Sequence, residues 1–163
     1  MHLKGFTLLE LLVTIGVLGI LSTVVLVSIN PLEKLRQSKD AIRKSGISQL
    51  ATALRGYYVN YFAYPPNSYT YMNVLVAAGE ISTPISPVSN TAACLGGVYY
   101  QNGFCYHNAG AYAYVMIPLE SNREKQKCST GDSYYMWDPK QGKIGVVCVI
   151  PPFWSLGNYT FQD

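Results

Sequence analysis

Lys4-Gly5-Phe6-Thr7-Leu8-Leu9-Glu10, running without a break into the apolar stretch Leu11 to Ile29, decides how the rest of this 163-residue chain is read. From Phe6 to Ile29 there are 24 residues, and Glu10 alone among them is charged. As a helix rising about 1.5 Å per residue they reach about 36 Å, more than the roughly 30 Å of a hydrocarbon layer. A secretory signal has a shorter apolar core, of about 7 to 15 residues, closed by a small-x-small cleavage site. Val24 to Ile29 offers no such site, so this segment is expected to remain on the protein as a membrane-spanning helix.

Glu10 is the exception within the stretch. A carboxylate inside a membrane helix costs about 2.5 to 3.5 kcal/mol at mid-bilayer and less near an end, so it needs a partner or a route to water. Lys4-Gly5 ahead of Phe6, Glu10 as the fifth residue counted from Phe6, and the long apolar tail together resemble the N-terminus of type IV prepilins and type II secretion pseudopilins. The resemblance covers roughly the first 60 residues and is one of architecture beyond them.

It implies processing at Gly5 and Phe6: a prepilin peptidase removes the leader Met1 to Gly5 on the cytoplasmic side and methylates the new amine of Phe6. It further implies that Phe6 to Ile29 serves first as a membrane anchor in lipid and later as the core of a helical filament of identical subunits. Phe6 and Glu10 then act in assembly, with inner-membrane assembly machinery as the further partner. The implied fold is α+β, a long N-terminal helix packed on a C-terminal antiparallel sheet. The expected organisation is a leader 1–5, an anchor helix 6–29, an amphipathic continuation 30–64 and a disulfide-bonded sheet domain 65–163.

Composition agrees with an anchor carrying one modest domain. Hydrophobic residues make up 49% and charged residues 13%, and much of the apolar excess lies in the anchor. A formal charge of +3 argues for no particular partner. Orientation is contested by two signals. Lys34, Arg36, Lys39, Arg43 and Lys44 follow the span and outnumber Lys4 before it, which by the positive-inside rule alone puts the C-terminal part in the cytoplasm. The resemblance and the four cysteines beyond the span point instead to an extracytoplasmic, oxidising compartment, and thence to a surface or periplasmic filament.

Asn30-Pro31 is expected to bend the helix, because proline lacks a donor N–H and disfavours helix in the residue before it. From Ile47 the apolar positions Leu50, Ala51, Leu54, Tyr57, Tyr58 and Tyr61 recur at spacings of three and four, which predicts a half-exposed helix. Its polar face is read as Lys34, Lys39, Arg43, Lys44 and Arg55. Pro65-Pro66-Asn67 stops it, and Tyr71 to Ala78 with Gly79 as terminator reads as a short helix, followed by an irregular connector with Pro84 and Pro87.

Strands are expected at Gly97 to Tyr100, Phe104 to His107, Ala111 to Leu119, Ser133 to Trp137 and Lys143 to Ile150. In the third, Tyr112, Tyr114 and Met116 alternate with Ala113, Val115 and Ile117, the mark of a sheet with unequal faces. Asp138-Pro139-Lys140-Gln141-Gly142 supplies the turn of the last hairpin. The tail Pro151 to Asp163 has no clear period.

Cys94, Cys105, Cys128 and Cys148 allow three pairings. The reading favours Cys94 with Cys105 and Cys128 with Cys148, each closing a hairpin-sized loop, the second worth about 3 kcal/mol in the chain-entropy account. No cofactor or metal is expected, since the closely paired ligands of a zinc site are missing. Asp132 and Asp138 read as solvated turn carboxylates in preference to a calcium site. Nor is catalysis expected: His107 is the one histidine beyond the leader, and no G-x-S-x-G or H-E-x-x-H pattern occurs.

The function read is therefore a structural subunit of a type IV pilus-like or type II secretion pseudopilus filament. The alternative is a minor pilin whose head binds a ligand in adhesion or DNA uptake. The stretch Lys34 to Lys44 has no aromatic groove beside it, so it reads as a solvated face or subunit contact and gives little support to a nucleic-acid partner.

Overall fold

The computed structural model describes residues 5–86, 94, 98–150 and 159–162, with residues 26–29 described for their backbone alone. The leader residues Met1 to Lys4, Pro87, Gly97 and most of the tail from Pro151 lie outside them. The chain divides into two compact units, Met1–Leu35 and Arg36–Asp163.

In the first unit, α1 spans Leu8–Ile29 and closes on Asn30, whose backbone is left-handed at φ 46°. A second helix, α2 (Pro31–Tyr61), begins at the next residue. The expected bend is therefore a break. Pro31 has no N–H for the preceding turn and sits at the first helical position, where none is needed. The Asn30 carbonyl accepts from the N–H groups of Glu33 and Lys34 at 3.1 and 3.3 Å, so Asn30 ends one helix and caps the next.

The second unit is an α+β domain. After α2 come α3 (Tyr71–Ala77), strands β1 (Tyr99–Gln101), β2 (Phe104–Asn108) and β3 (Ala113–Pro118), the single turn α4 (Asn122–Lys125), and strands β4 (Asp132–Asp138), β5 (Lys143–Val149) and β6 (Phe161–Gln162). Among the described residues the strands form one six-stranded antiparallel meander in chain order. β1 and β2 are joined by Asn102-Gly103, both at positive φ (51° and 83°), as a two-residue primed turn requires.

Alternation along β3 puts Ala113, Val115 and Ile117 on one face, against Ile47, Leu50 and Leu54 of α2 and Tyr71, Met72 and Leu75 of α3. Tyr114 and Met116 point to the other face and join Tyr134, Met136 and Val147 in a second buried cluster. Both faces of the sheet are thus apolar. Two disulfides, Cys94–Cys105 and Cys128–Cys148, cross-link this unit.

Gly46 faces the sheet where a Cβ would come 2.5 Å from Cζ of the fully buried Phe104. Gly46→Ala gains about 1 kcal/mol of helix propensity but overpacks the core by typically 1 to 3 kcal/mol, so a net loss of up to about 2 kcal/mol is expected. Denaturant unfolding of the disulfide-intact protein measures it. An unchanged midpoint would mean the ring moves aside.

The basic face of α2 is not uniformly solvated. Arg43 is 1% exposed, and its guanidinium donates to the Pro118 carbonyl at 3.0 Å and to Glu120 Oε1. The Asp40 carboxylate, 2% exposed, lies 3.6 Å from Arg43 Nη1 and accepts from the N–H groups of Glu120 and Ser121, both at 2.9 Å. One turn on, Lys44 Nζ is 2.7 Å from Glu124 Oε1, and Lys127 Nζ is 3.4 Å from Glu124 Oε2. This clasp ties α2 to the β3–α4 connection.

Burial works against ionisation of Glu124, but the hydrogen bonds and charges of Lys44 and Lys127 outweigh it and hold the carboxyl below its ordinary value of 4.5. A lowered folded pKa contributes stability that is complete above the ordinary value and is lost as pH falls through the folded one. The melting temperature is therefore expected to drop on acidification below that range, and Glu124→Gln to flatten the drop. Identical acid limbs for parent and variant would remove Glu124 from the account.

Candidate functional site

The residues singled out at the N-terminus all belong to the first unit. Gly5 is exposed, and a Cβ built on it would meet nothing within 4 Å, so the Gly5–Phe6 peptide bond stands open to an incoming protein. Phe6 is 77% exposed. Thr7 is the N-cap of α1, in extended conformation with ψ 150°. Its hydroxyl oxygen accepts from the Glu10 N–H at 3.2 Å, and its own N–H and hydroxyl both donate to Glu10 Oε2 at 3.0 Å. The two residues satisfy each other's polar groups in a reciprocal capping box.

Glu10 therefore has a partner inside its own chain, and its carboxylate is turned back toward the helix start, beside the Phe6–Thr7 backbone. Phe6, Leu9, Glu10, Val13 and Thr14 line a shallow apolar groove along one side of the first turns. Cutting the Gly5–Phe6 bond would place a positive amine on Phe6, one turn before this carboxylate. The capping role of Thr7 is not among the sequence expectations above. The signal was present, because Thr7-Leu8-Leu9-Glu10 ahead of an apolar run is the capping-box pattern.

Among the described side chains of α1, none is buried in the chain. The window Leu8–Val25 has a mean hydropathy of 2.3 and is 0% buried, and Leu8 and Leu9 are 88% and 73% exposed. Thirteen large apolar side chains from Phe6 to Val25 are left open. At about 1.5 to 3 kcal/mol for each side chain moved out of water, covering them is worth on the order of 20 kcal/mol. Such a helix is long and apolar enough to cross a membrane.

In the second unit the cysteines form the two disulfides, and among the described residues no group of three or more His, Cys, Asp or Glu side chains is placed to hold a metal ion. His107 is half-buried on β2, its ring centroid 6.5 Å from that of Tyr114. Asp132 and Asp138 lie at opposite ends of β4, so they share no turn. Asp132 is exposed, but Asp138 is fully buried, contrary to the solvated reading. Its Oδ1 accepts from the Lys140 N–H at 2.8 Å and its Oδ2 from the Tyr159 hydroxyl at 2.7 Å. That carboxylate organises the β4–β5 turn.

Residues 2–26 match the prokaryotic N-terminal methylation motif. The match covers most of the length of α1 and none of the second unit. That motif is the signature of type IV pilins and pseudopilins. No curated protein and no solved structure matches the chain.

Proposed function

We propose that the chain is a structural subunit of a type IV pilus-like or pseudopilus filament, assembled through α1 after removal of Met1 to Gly5. The observation that carries this reading is α1 itself: an apolar helix with no buried residue from Leu8 to Val25, which opens on an exposed Gly5 and Phe6 and holds one carboxylate, Glu10, at its first turn. In this reading the prepilin peptidase cuts after Gly5 and methylates Phe6, lipid covers the helix first, and other copies cover it later, delivered by inner-membrane assembly machinery. The disulfide-bonded head lies outside the cytoplasm.

A carboxylate in an apolar filament core favours an incoming subunit that brings the Phe6 amine. Opposite charges attract more strongly there than in water, though each also loses hydration, so the pair acts mainly as a register device. Gly5→Val tests the processing step. A branched side chain at the residue before the cut should leave the whole leader attached, seen as a heavier N-terminal peptide that still begins at Met1. Normal maturation of the variant would contradict the assigned site.

A further inference from the structure

We propose that the α2–α4 end of the head rests on anionic phospholipid headgroups while the subunit is held in the membrane, an inference that depends on the anchored-subunit reading above. Charge is gathered at this end. Lys39, Arg43 and Lys44 on α2 meet Arg123, Lys125 and Lys127 on and just after α4, against Asp40, Glu120, Glu124 and Asp132. The excess of two is most of the formal charge of +3 carried by the whole chain. The clasp brings the two basic groups together across about 80 residues of sequence, as Lys44 to Glu124 does at a separation of 80.

Asp40 and Glu124 are turned inward, Glu120 and Asp132 are not, and three of the basic side chains are turned outward. Asp40 and Glu124 are 2% and 7% exposed, whereas Arg123, Lys125 and Lys127 are exposed. In sequence, Lys39 lies ten residues after Ile29, the last residue of the apolar helix. A basic surface tethered that close to the anchor meets headgroup phosphates at high effective concentration, and phosphate attracts clustered lysine and arginine without any shaped pocket. Duplex DNA presents the same phosphate chemistry, but nothing tethers it there.

The test uses the full chain reconstituted in phosphatidylcholine vesicles, with or without about 30 mol% phosphatidylglycerol, and a membrane-impermeant lysine-acylating reagent read by mass spectrometry. Lys125 and Lys127 are expected to react about fivefold or more slowly in the anionic vesicles. Lys140 and Lys143, on the β4–β5 turn, should react alike in both. The protection should vanish in about 0.5 M salt, where the screening length falls to about 4 Å. The double variant Arg123→Gln/Lys125→Gln should make Lys127 indifferent to lipid charge.

Equal rates in both vesicles, with the chain floating in both, would overturn this proposal and leave the anchoring reading intact. A chain that floats with neither vesicle would overturn both. Duplex DNA added to neutral vesicles and protecting the same lysines as strongly would overturn the lipid assignment in favour of a nucleic-acid surface.

Discussion

Glu10→Gln subunits are expected to insert in the membrane, form both disulfides and enter filaments about 100-fold or more less often than the parent. The size follows from leaving a buried amine without its carboxylate, about 3 to 5 kcal/mol, at about 1.4 kcal/mol per tenfold change. Glutamine is the informative replacement because Glu10 has two roles in the structure. It caps α1 through Thr7, and glutamine serves in a capping box as glutamate does. It also carries the charge, which glutamine lacks. Glu10→Ala removes both and loses a further 1 kcal/mol or so of helix-start stability. If charge matters, both variants fail in sheared-filament yield. Normal assembly of the glutamine variant with failure of the alanine variant would reduce Glu10 to a cap, and normal assembly of both would end its assembly role.

Arg43→Leu should be the most damaging single change in the head. Asp40 would be left buried without its cation, while Glu120 keeps Lys39 at 4.0 Å, at a cost of about 3 to 5 kcal/mol and a melting temperature lower by about 10 °C or more. Arg43→Lys should recover only part of this, since an ammonium cannot bridge the Pro118 carbonyl and the Glu120 carboxylate as a planar fork does. Thermal unfolding of the full chain in detergent measures both variants. A leucine variant within a degree or two of the parent would show that the clasp contributes no net stability.

Much of the fold was legible because it is written in local patterns. The period-two alternation around Tyr112 to Ile117 gave β3 and its two faces, the Asp138 to Gly142 turn gave the β4–β5 hairpin, and the spacing from Ile47 to Leu54 gave the buried side of α2. Asn102-Gly103 is an equally local hairpin signal. What could not be read locally was Arg43. A basic residue on a helix looks solvated until its partners are known, and these are Pro118 and Glu120, separated from it by 75 and 77 positions.

The same holds for α4, a single turn too short to show a period, and for β6, whose two residues pair with Val146 and Val147. The break at Asn30 came from a competition that propensity alone does not settle. Proline was expected to bend the helix, but a left-handed asparagine let one helix end and the next begin. At the N-terminus the residues Gly5, Phe6 and Glu10 were legible through a resemblance. The role of Thr7 needed the geometry.

The central claim, a subunit processed at its N-terminus, is tested most directly by mass spectrometry of the N-terminal peptide of the protein taken from membranes and from sheared filaments. The account predicts a peptide that begins at Phe6, carries one added methyl group on its amine, and is found in both fractions. A peptide that still begins at Met1 in both, or an unmodified Phe6 absent from any filament, would contradict it.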